Sequence, residues 1–300
     1  EQLKRLCDEL RVLSPLTHPL IFIDQEGGRV RRLNFPEMYQ APDAQQFGKI
    51  FQQNPQQGLE AVQWSAYLTA RELHALGVTV NCMPVADLMI DGAHSIIGDR
   101  AYSADPHGVA SLCAAAIKGT MAGGVWPVIK HAPGHGRATV DSHAELPHVE
   151  ADLQTLENDL LPFKTNHHCP FVMTAHVTYP AFDNLCATTS PQILQQVLRQ
   201  ECAMTGTFVA DDMFMKALDG DLHTRVAHSL NAGCDLVICG SSNIDGRFSE
   251  DMWRQIDALN SSFALTDKAR ERLQNLPTLP HTFDVSVEEA KQELKQVMAV

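Results

Sequence analysis

The chain has 300 residues, 44% of them hydrophobic and 20% charged, with a formal net charge of −13. That is enough apolar material for a sizeable core, and the acidic balance argues against nucleic acid or an anionic membrane as partner, since both need clustered Lys and Arg. No apolar run approaches the roughly 20 residues that cross a bilayer.

The opening residues, Glu1-Gln2-Leu3-Lys4-Arg5-Leu6, lack the basic-then-apolar pattern of a signal peptide. Leu3, Leu6, Leu10 and Leu13 recur at helical spacing and predict a helix over 1–13, closed by Pro15 and Pro19. Leu20-Ile21-Phe22-Ile23 reads as a first strand. It ends in Asp24-Gln25-Glu26-Gly27-Gly28-Arg29-Val30-Arg31-Arg32, where paired glycines permit a sharp turn and acids and arginines cluster. Residues 33–56, rich in Gln, Pro and Asn, read as irregular. A long helix is predicted over 57–76 with Gly77 as its stop, then a strand over 78–82, then a helix over 106–122 whose Ala110, Ala114, Ala115 and Ala116 suit packing on a sheet. Val125-Trp126-Pro127-Val128-Ile129 reads as a short buried strand feeding a loop over 130–143 that holds a Lys, three His and an Asp around Pro133, Gly134 and Gly136. Further helices are predicted at 151–165, 191–204, 221–232, 245–260, 265–275 and 286–298, and further strands at 171–175, 207–210 and 235–240. This alternation means βα units on a parallel sheet, where chemistry gathers at the carboxyl ends of the strands. The eight cysteines (Cys7, Cys82, Cys113, Cys169, Cys186, Cys202, Cys234 and Cys239) form no C-x-x-C pair and no tight framework, so buried free thiols in a reducing cytoplasm are expected.

Within the 130–143 loop, Asp141 and His143 stand two apart, so a bent backbone lets the carboxylate reach an imidazole nitrogen, fix its tautomer and raise its basicity. An isolated D-x-H is a weak signal. The whole pattern, K-H-x-P-G-H-G followed by D-S-H, is long, and it resembles the signature loop of the family 3 glycoside hydrolases of the bacterial β-N-acetylhexosaminidase branch. Other stretches carry the same resemblance: I-D-Q-E-G-G-R-V-x-R from Ile23 to Arg32, I-G-x-R-A-Y from Ile97 to Tyr102, and M-x-A-H-V from Met173 to Val177. Phe208-Val209-Ala210-Asp211-Asp212-Met213-Phe214-Met215 is similar to the family's F-S-D-D-L-S-M, with Ala210, Met213 and Phe214 in place of its Ser, Leu and Ser. The resemblance covers roughly residues 18–245.

The resemblance implies a (β/α)₈ TIM-type barrel. The six strands legible here would be its third to eighth, so residues 1–300 would form a single catalytic barrel domain, N-terminally short and lacking the first one or two strands. Two open edges are costly, which leaves a fragment, a covering partner or the first helix as accounts. By the same resemblance Asp211 is the nucleophile and His143, held by Asp141, is the acid/base of a retaining mechanism. Asp24, Arg32, Arg100, Lys130 and His131 contact the sugar, His135 braces its loop, and His176 points into the same mouth. The implied activity is that of a cytoplasmic exo-β-N-acetylglucosaminidase that removes terminal N-acetylglucosamine from peptidoglycan fragments, N-acetylglucosamine linked to 1,6-anhydro-N-acetylmuramic acid with or without peptide, in cell-wall recycling. It implies no cofactor, no metal and a monomer.

Read without the family, Asp211-Asp212 at a strand end is equally a metal-ligand pair or a solvated helix start capped by Asp212. Two rivals follow. One is a metal-dependent barrel hydrolase using His131, His135, His143, His176 and Asp211, against which stands the absence of H-E-x-x-H. The other is a truncated, non-catalytic sugar-binding barrel. A nucleotide loop at Gly134-His135-Gly136 lacks the third Gly and the Gly-Lys-Ser/Thr ending.

Overall fold

The computed structural model describes residues 1–14, 19–240, 248–260, 262–280 and 284–298. Its helices are α1 (Gln2–Leu13), α2 (Ala44–Gln53), α3 (Pro55–Leu76), α4 (Pro106–Ala122), α5 (Leu153–Thr165), α6 (Leu222–Ala232), α7 (Glu250–Leu259), α8 (Asp267–Gln274) and α9 (Val287–Met298), with a π-helical segment over Gln192–Glu201. Its strands are β1 (Phe22–Ile23), β2 (Gln25–Gly27), β3 (Val30–Arg31), β4 (Val80–Asn81), β5 (Trp126–Ala132), β6 (Phe171–Thr174), β7 (Thr178–Tyr179), β8 (Asp183–Cys186), β9 (Thr207–Asp212) and β10 (Leu236–Ile238). Pro15 and residues 245–247 of the helix expected over 245–260 lie outside the described residues.

Helix boundaries follow local chemistry. Asn54 Oδ1 accepts the Gln57 N–H at the start of α3, with Pro55 in the first turn, and Gly77 closes the helix at φ +95°. Asp105 caps α4 with both carboxylate oxygens, and Asp221 caps α6. The fold class is α/β, and the chain divides into two compact units, one of 1–89, 99–129 and 277–300, the other of 90–98 and 130–276.

In the first unit β1 pairs parallel with β4, Phe22 opposite Val80, and β4 with the start of β5, Val80 opposite Trp126. Helices α3 and α4 lie so close that a Cβ on Gly119 would fall 2.2 Å from the Gln63 carbonyl oxygen. The stretch read as irregular contains α2, whose N-cap Asp43 accepts the Gln46 N–H and whose Phe47 is buried. Its glutamines hid the amphipathic pattern. The leucine face expected of α1 is not its inward face: Leu6, Leu10 and Leu13 are 49%, 43% and 80% exposed. Leu3, Cys7 and Arg11, four apart, form the stripe that docks instead. Cys7 is buried beside Leu73 and Val125, and Arg11 Nη2 donates to the Gly77 carbonyl at 2.9 Å.

In the second unit β6 pairs parallel with β9, Phe171 opposite Thr207, and β9 with β10, Val209 opposite Leu236. The Ala175 N–H donates to the Ala132 carbonyl at 2.8 Å and ties the end of β6 to the end of β5. Three corrections concern this unit. The strand expected to stop at Ile129 runs to Ala132, so Lys130 and His131 are strand residues; β9 likewise runs through Asp211 and Asp212; and the antiparallel pair β7–β8 has no counterpart in the sequence reading. A buried carboxylate, Asp235, anchors the far end. Its Oδ2 accepts from Arg199 Nη2 at 2.9 Å and the Phe208 N–H at 2.8 Å, and its Oδ1 from Arg272 Nη1 on α8 at 2.6 Å.

All eight cysteines are free thiols, and no described helix is long and apolar enough to cross a membrane. Removing one partner of a buried ionic cluster leaves the others uncompensated. Asp235→Ala should therefore cost about 3–5 kcal/mol, read as a lower urea midpoint at unchanged slope.

Candidate active site

The second unit gathers titratable side chains at the carboxyl ends of its strands. Every residue of β5 is buried, as befits a parallel strand covered on both faces. Its last residues therefore carry a buried Lys130 and a buried His131. Gly134 then turns the chain at φ +132°, where a Cβ would meet Asp159 of α5 at 3.0 Å. The Tyr179 hydroxyl donates to the Gly134 carbonyl at 2.8 Å.

The loop beyond is pinned at several points. His135 is buried, stacks edge-on against His131 with ring centroids 5.7 Å apart, and bonds Ser142 Oγ through Nε2 at 3.1 Å. Arg137 Nε donates to the buried Asp159 carboxylate at 2.6 Å, and the His94 N–H to the Ala138 carbonyl at 2.9 Å. Between these anchors, Asp141 Oδ1 accepts both the backbone N–H of His143 at 2.9 Å and its ring Nδ1–H at 2.8 Å. A carboxylate can only accept, so Nδ1 carries a proton and Nε2 is the exchangeable nitrogen. Burial works to raise the Asp141 pKa, but the two His143 donors outweigh it, and the carboxyl is held below its ordinary value. The His143 and Asp141 side chains are 54% and 30% exposed, so the dyad meets solvent.

Asp211 stands near the end of β9. Burial again pushes its pKa up, yet His131, His176, the Asp212 N–H and Lys130 together hold it down. The N–H contact is short, Asp212 N to Asp211 Oδ1 at 2.8 Å. The neighbouring Asp212 behaves oppositely: burial raises its pKa, and the Asp211 charge adds to the rise. Its Oδ1 accepts the Phe214 N–H at 3.0 Å and the Gly240 N–H at 2.9 Å, so it joins the ends of β9 and β10 rather than capping a helix. The His143 charge is felt at Asp212, which brings the dyad into the electrostatic reach of the β9 end. The arrangement is thus an ionised carboxylate with one oxygen held, and an imidazole with one nitrogen free to exchange protons.

The first unit holds the remaining candidates. Arg32 Nη2 donates to Asp24 Oδ2 at 3.0 Å. Arg100 donates from Nε and Nη2 to the two oxygens of Glu26, each at 2.8 Å, and feels Asp24 as well. A concave space borders Glu26, Arg29, Asp99 and Arg100, while Asp24 and Arg32 are not among its lining residues. The hub of this region is a residue the sequence reading passed over. Buried Gln25 accepts the Arg32 and Leu33 N–H groups on Oε1, donates from Nε2 to the Leu33 carbonyl, and exchanges backbone bonds with the Asn81 amide, all at 3.0 Å. Its only trace in the sequence is its place between Asp24 and Glu26. Among the described residues no group of three or more His, Cys, Asp or Glu is arranged to hold a metal ion.

A family model described as the glycosyl hydrolase family 3 N-terminal domain matches residues 1–276. A β-hexosaminidase of Hydrogenovibrio crunogenus is 42% identical over 246 residues, 79% of this chain and 67% of that protein. A β-hexosaminidase of Stenotrophomonas maltophilia is 36% identical over 252 residues, 82% of this chain and 74% of that protein. Among solved structures, NagZ from Neisseria gonorrhoeae in complex with N-trifluoroacetyl-D-glucosamine superposes with a TM-score of 0.82 at 30% identity, over 99% of this chain and 83% of that one.

The electrostatics set a direct expectation. Followed by carbon NMR, the Asp211 carboxyl should titrate below the ~3.9 of an unperturbed aspartate, and His131→Ala should move it upward. Because the folded value is depressed, the stability this carboxylate contributes is present above the unfolded pKa and is lost as pH falls through the folded one. A wild-type Asp211 titrating above ~3.9 would contradict the assignment of its neighbours.

Proposed function

The chain belongs to glycosyl hydrolase family 3, and from that premise we propose that it is a retaining exo-β-N-acetylglucosaminidase. It is a glycoside hydrolase by family; the finer reading is that it releases terminal N-acetylglucosamine from peptidoglycan fragments ending in 1,6-anhydro-N-acetylmuramic acid, in cytoplasmic cell-wall recycling. The six parallel strands then correspond to six of the eight in a (β/α) barrel. The observation that carries the reading is the pairing of chemistries in the second unit, an Asp211 carboxylate kept ionised and an Asp141–His143 dyad whose Nε2 is free to exchange a proton.

On this reading the Asp211 carboxylate attacks the anomeric carbon while imidazolium Nε2–H of His143 protonates the departing glycosidic oxygen. The C–O bond to the aglycone breaks as the ester to Asp211 forms. Neutral Nε2 then takes a proton from water, whose oxygen attacks the same carbon and frees the carboxylate. In the second unit Lys130 and His131 supply sugar contacts; within the first unit, taken by itself, Asp24, Arg32 and Arg100 are the proposed sugar-binding residues. Guanidinium and carboxylate suit hydroxyls because their charge-assisted hydrogen bonds have fixed geometry. No cofactor enters, because the aspartate itself carries the glycosyl group.

The test is kinetic and covalent. Asp211→Ala should abolish turnover of a chromogenic N-acetylglucosaminide. His143→Ala should slow both glycosylation and deglycosylation, by about 10²–10⁴-fold, with sugar binding largely kept. A 2-fluoro or 5-fluoro glycosyl trap should leave an adduct on Asp211 by mass spectrometry. Wild-type turnover in Asp211→Ala, or an adduct on another residue, would discredit the reading.

A further inference from the structure

His176 follows the end of β6, is 1% exposed, and has both ring nitrogens partnered. Nδ1 lies 2.9 Å from Thr188 Oγ1, and Nε2 lies 3.2 Å from the main-chain oxygen of Asp212. Thr188 Oγ1 in turn lies 2.9 Å from Thr174 Oγ1 and 2.9 Å from the Ala175 carbonyl.

Proton accounting selects one tautomer. A carbonyl only accepts, so the bond to Asp212 requires the proton on Nε2. Burial disfavours the imidazolium, against the opposing pull of the Asp211 carboxylate and the Asp212 carbonyl. The Thr188 hydroxyl has one proton, and the Ala175 carbonyl, which can only accept, takes it at 2.9 Å, so Thr188 does not itself select the tautomer; the Thr174 hydroxyl can donate to Thr188 Oγ1.

Residue 212 is where this chain meets the nucleophile. The Asp212 N–H holds Asp211 Oδ1 at 2.8 Å, and the Asp212 carboxylate is clamped by the Phe214 and Gly240 N–H groups. Its carbonyl also takes the Met215 N–H at 3.1 Å, so losing the imidazole would leave that oxygen satisfied but less constrained. Resting on the proposal that Asp211 is the nucleophile, we propose that His176, donating Nε2–H to the Asp212 carbonyl, is a positioning residue: it pins the backbone of Asp212 and thereby aims the Asp211 carboxylate.

A misplacement of about 1 Å in a reacting group costs on the order of 10²-fold in rate. His176→Ala should therefore lower kcat/KM toward a chromogenic N-acetylglucosaminide about 100-fold, counted per active site titrated with the fluoro-glycoside so that misfolded molecules drop out. His176→Gln, whose amide N–H can reach the same carbonyl, should recover about tenfold of that loss. Nitrogen NMR of the wild-type enzyme should report a proton on His176 Nε2. His176→Ala at wild-type rate per titrated site, His176→Gln no better than His176→Ala, or an Nδ1–H tautomer in the wild type would each overturn the inference. Should His176→Ala not fold, the His176→Gln rate against wild type and the NMR result decide it. An inactive wild type or an active Asp211→Ala would instead sink the glycosidase reading, and the NMR result would still judge the hydrogen bond.

Discussion

Keeping a carboxylate charged in a partly enclosed place is the constraint around which the second unit is built. Burial alone drives an aspartate toward its neutral form, and a neutral aspartic acid is a poor nucleophile. At Asp211 that tendency is reversed by His131 and Lys130 from the end of β5, by His176 from the end of β6, and by the next backbone N–H on β9 itself. A parallel sheet delivers these groups together because its strands all end on the same side. At the adjacent Asp212 burial and the Asp211 charge outweigh the Phe214 and Gly240 N–H donors, and the carboxyl moves the other way. Two consecutive carboxyls are displaced in opposite directions: one is held anionic, and the other is used as an acceptor that fastens strand ends. Pairs of titratable groups pushed apart in this way are a recurring mark of acid–base assignment.

The dyad obeys a different logic. Asp141 and His143 are more exposed than Asp211, and the acid/base proposed for His143, serving a leaving oxygen and then a water, would benefit from access to both. Exposure brings mobility, which the loop limits with buried bonds placed away from the reacting atoms: His135 to Ser142, and Arg137 to Asp159. Asp141 itself spends one oxygen on both the backbone and the ring of His143, so the ring orientation is set by a residue within the same turn. The proton site is therefore defined even though the loop lies open to solvent.

Much of this was legible before any coordinates. Apolar runs ended by Gly and Pro marked the strands, and the residues at their ends were already the candidates. What escaped detection has physical reasons. Lys130 and His131 read as loop residues because charge ordinarily signals solvent, yet both are buried on β5. The inward stripe of α1 runs through Cys7 and Arg11, and leucine periodicity pointed to the wrong face. Thr188 is invisible as a partner of His176 because β7 and β8 lie between them, and no local pattern announces a hydrogen bond across that hairpin. Sequence spacing reports neighbours along an element, whereas these contacts are made by the return of the chain.

The first unit repeats the principle on a smaller scale. Arg32 and Asp24 form an ion pair with side chains 62% and 33% exposed, and such surface pairs are worth only about 0–1 kcal/mol. Stability does not account for the structure beneath it. Buried Gln25 commits its backbone and both ends of its amide to the hairpin β2–β3 and to Asn81, and so fixes the backbone on either side of the pair. A fully satisfied buried amide rigidifies what it touches. Neutral, buried hydrogen bonds here hold an exposed ion pair still, the arrangement that the proposed sugar contact of Asp24 and Arg32 would need. Gln25 beneath Asp24 and Arg32 is in this sense the counterpart, within its own unit, of His176 behind Asp211.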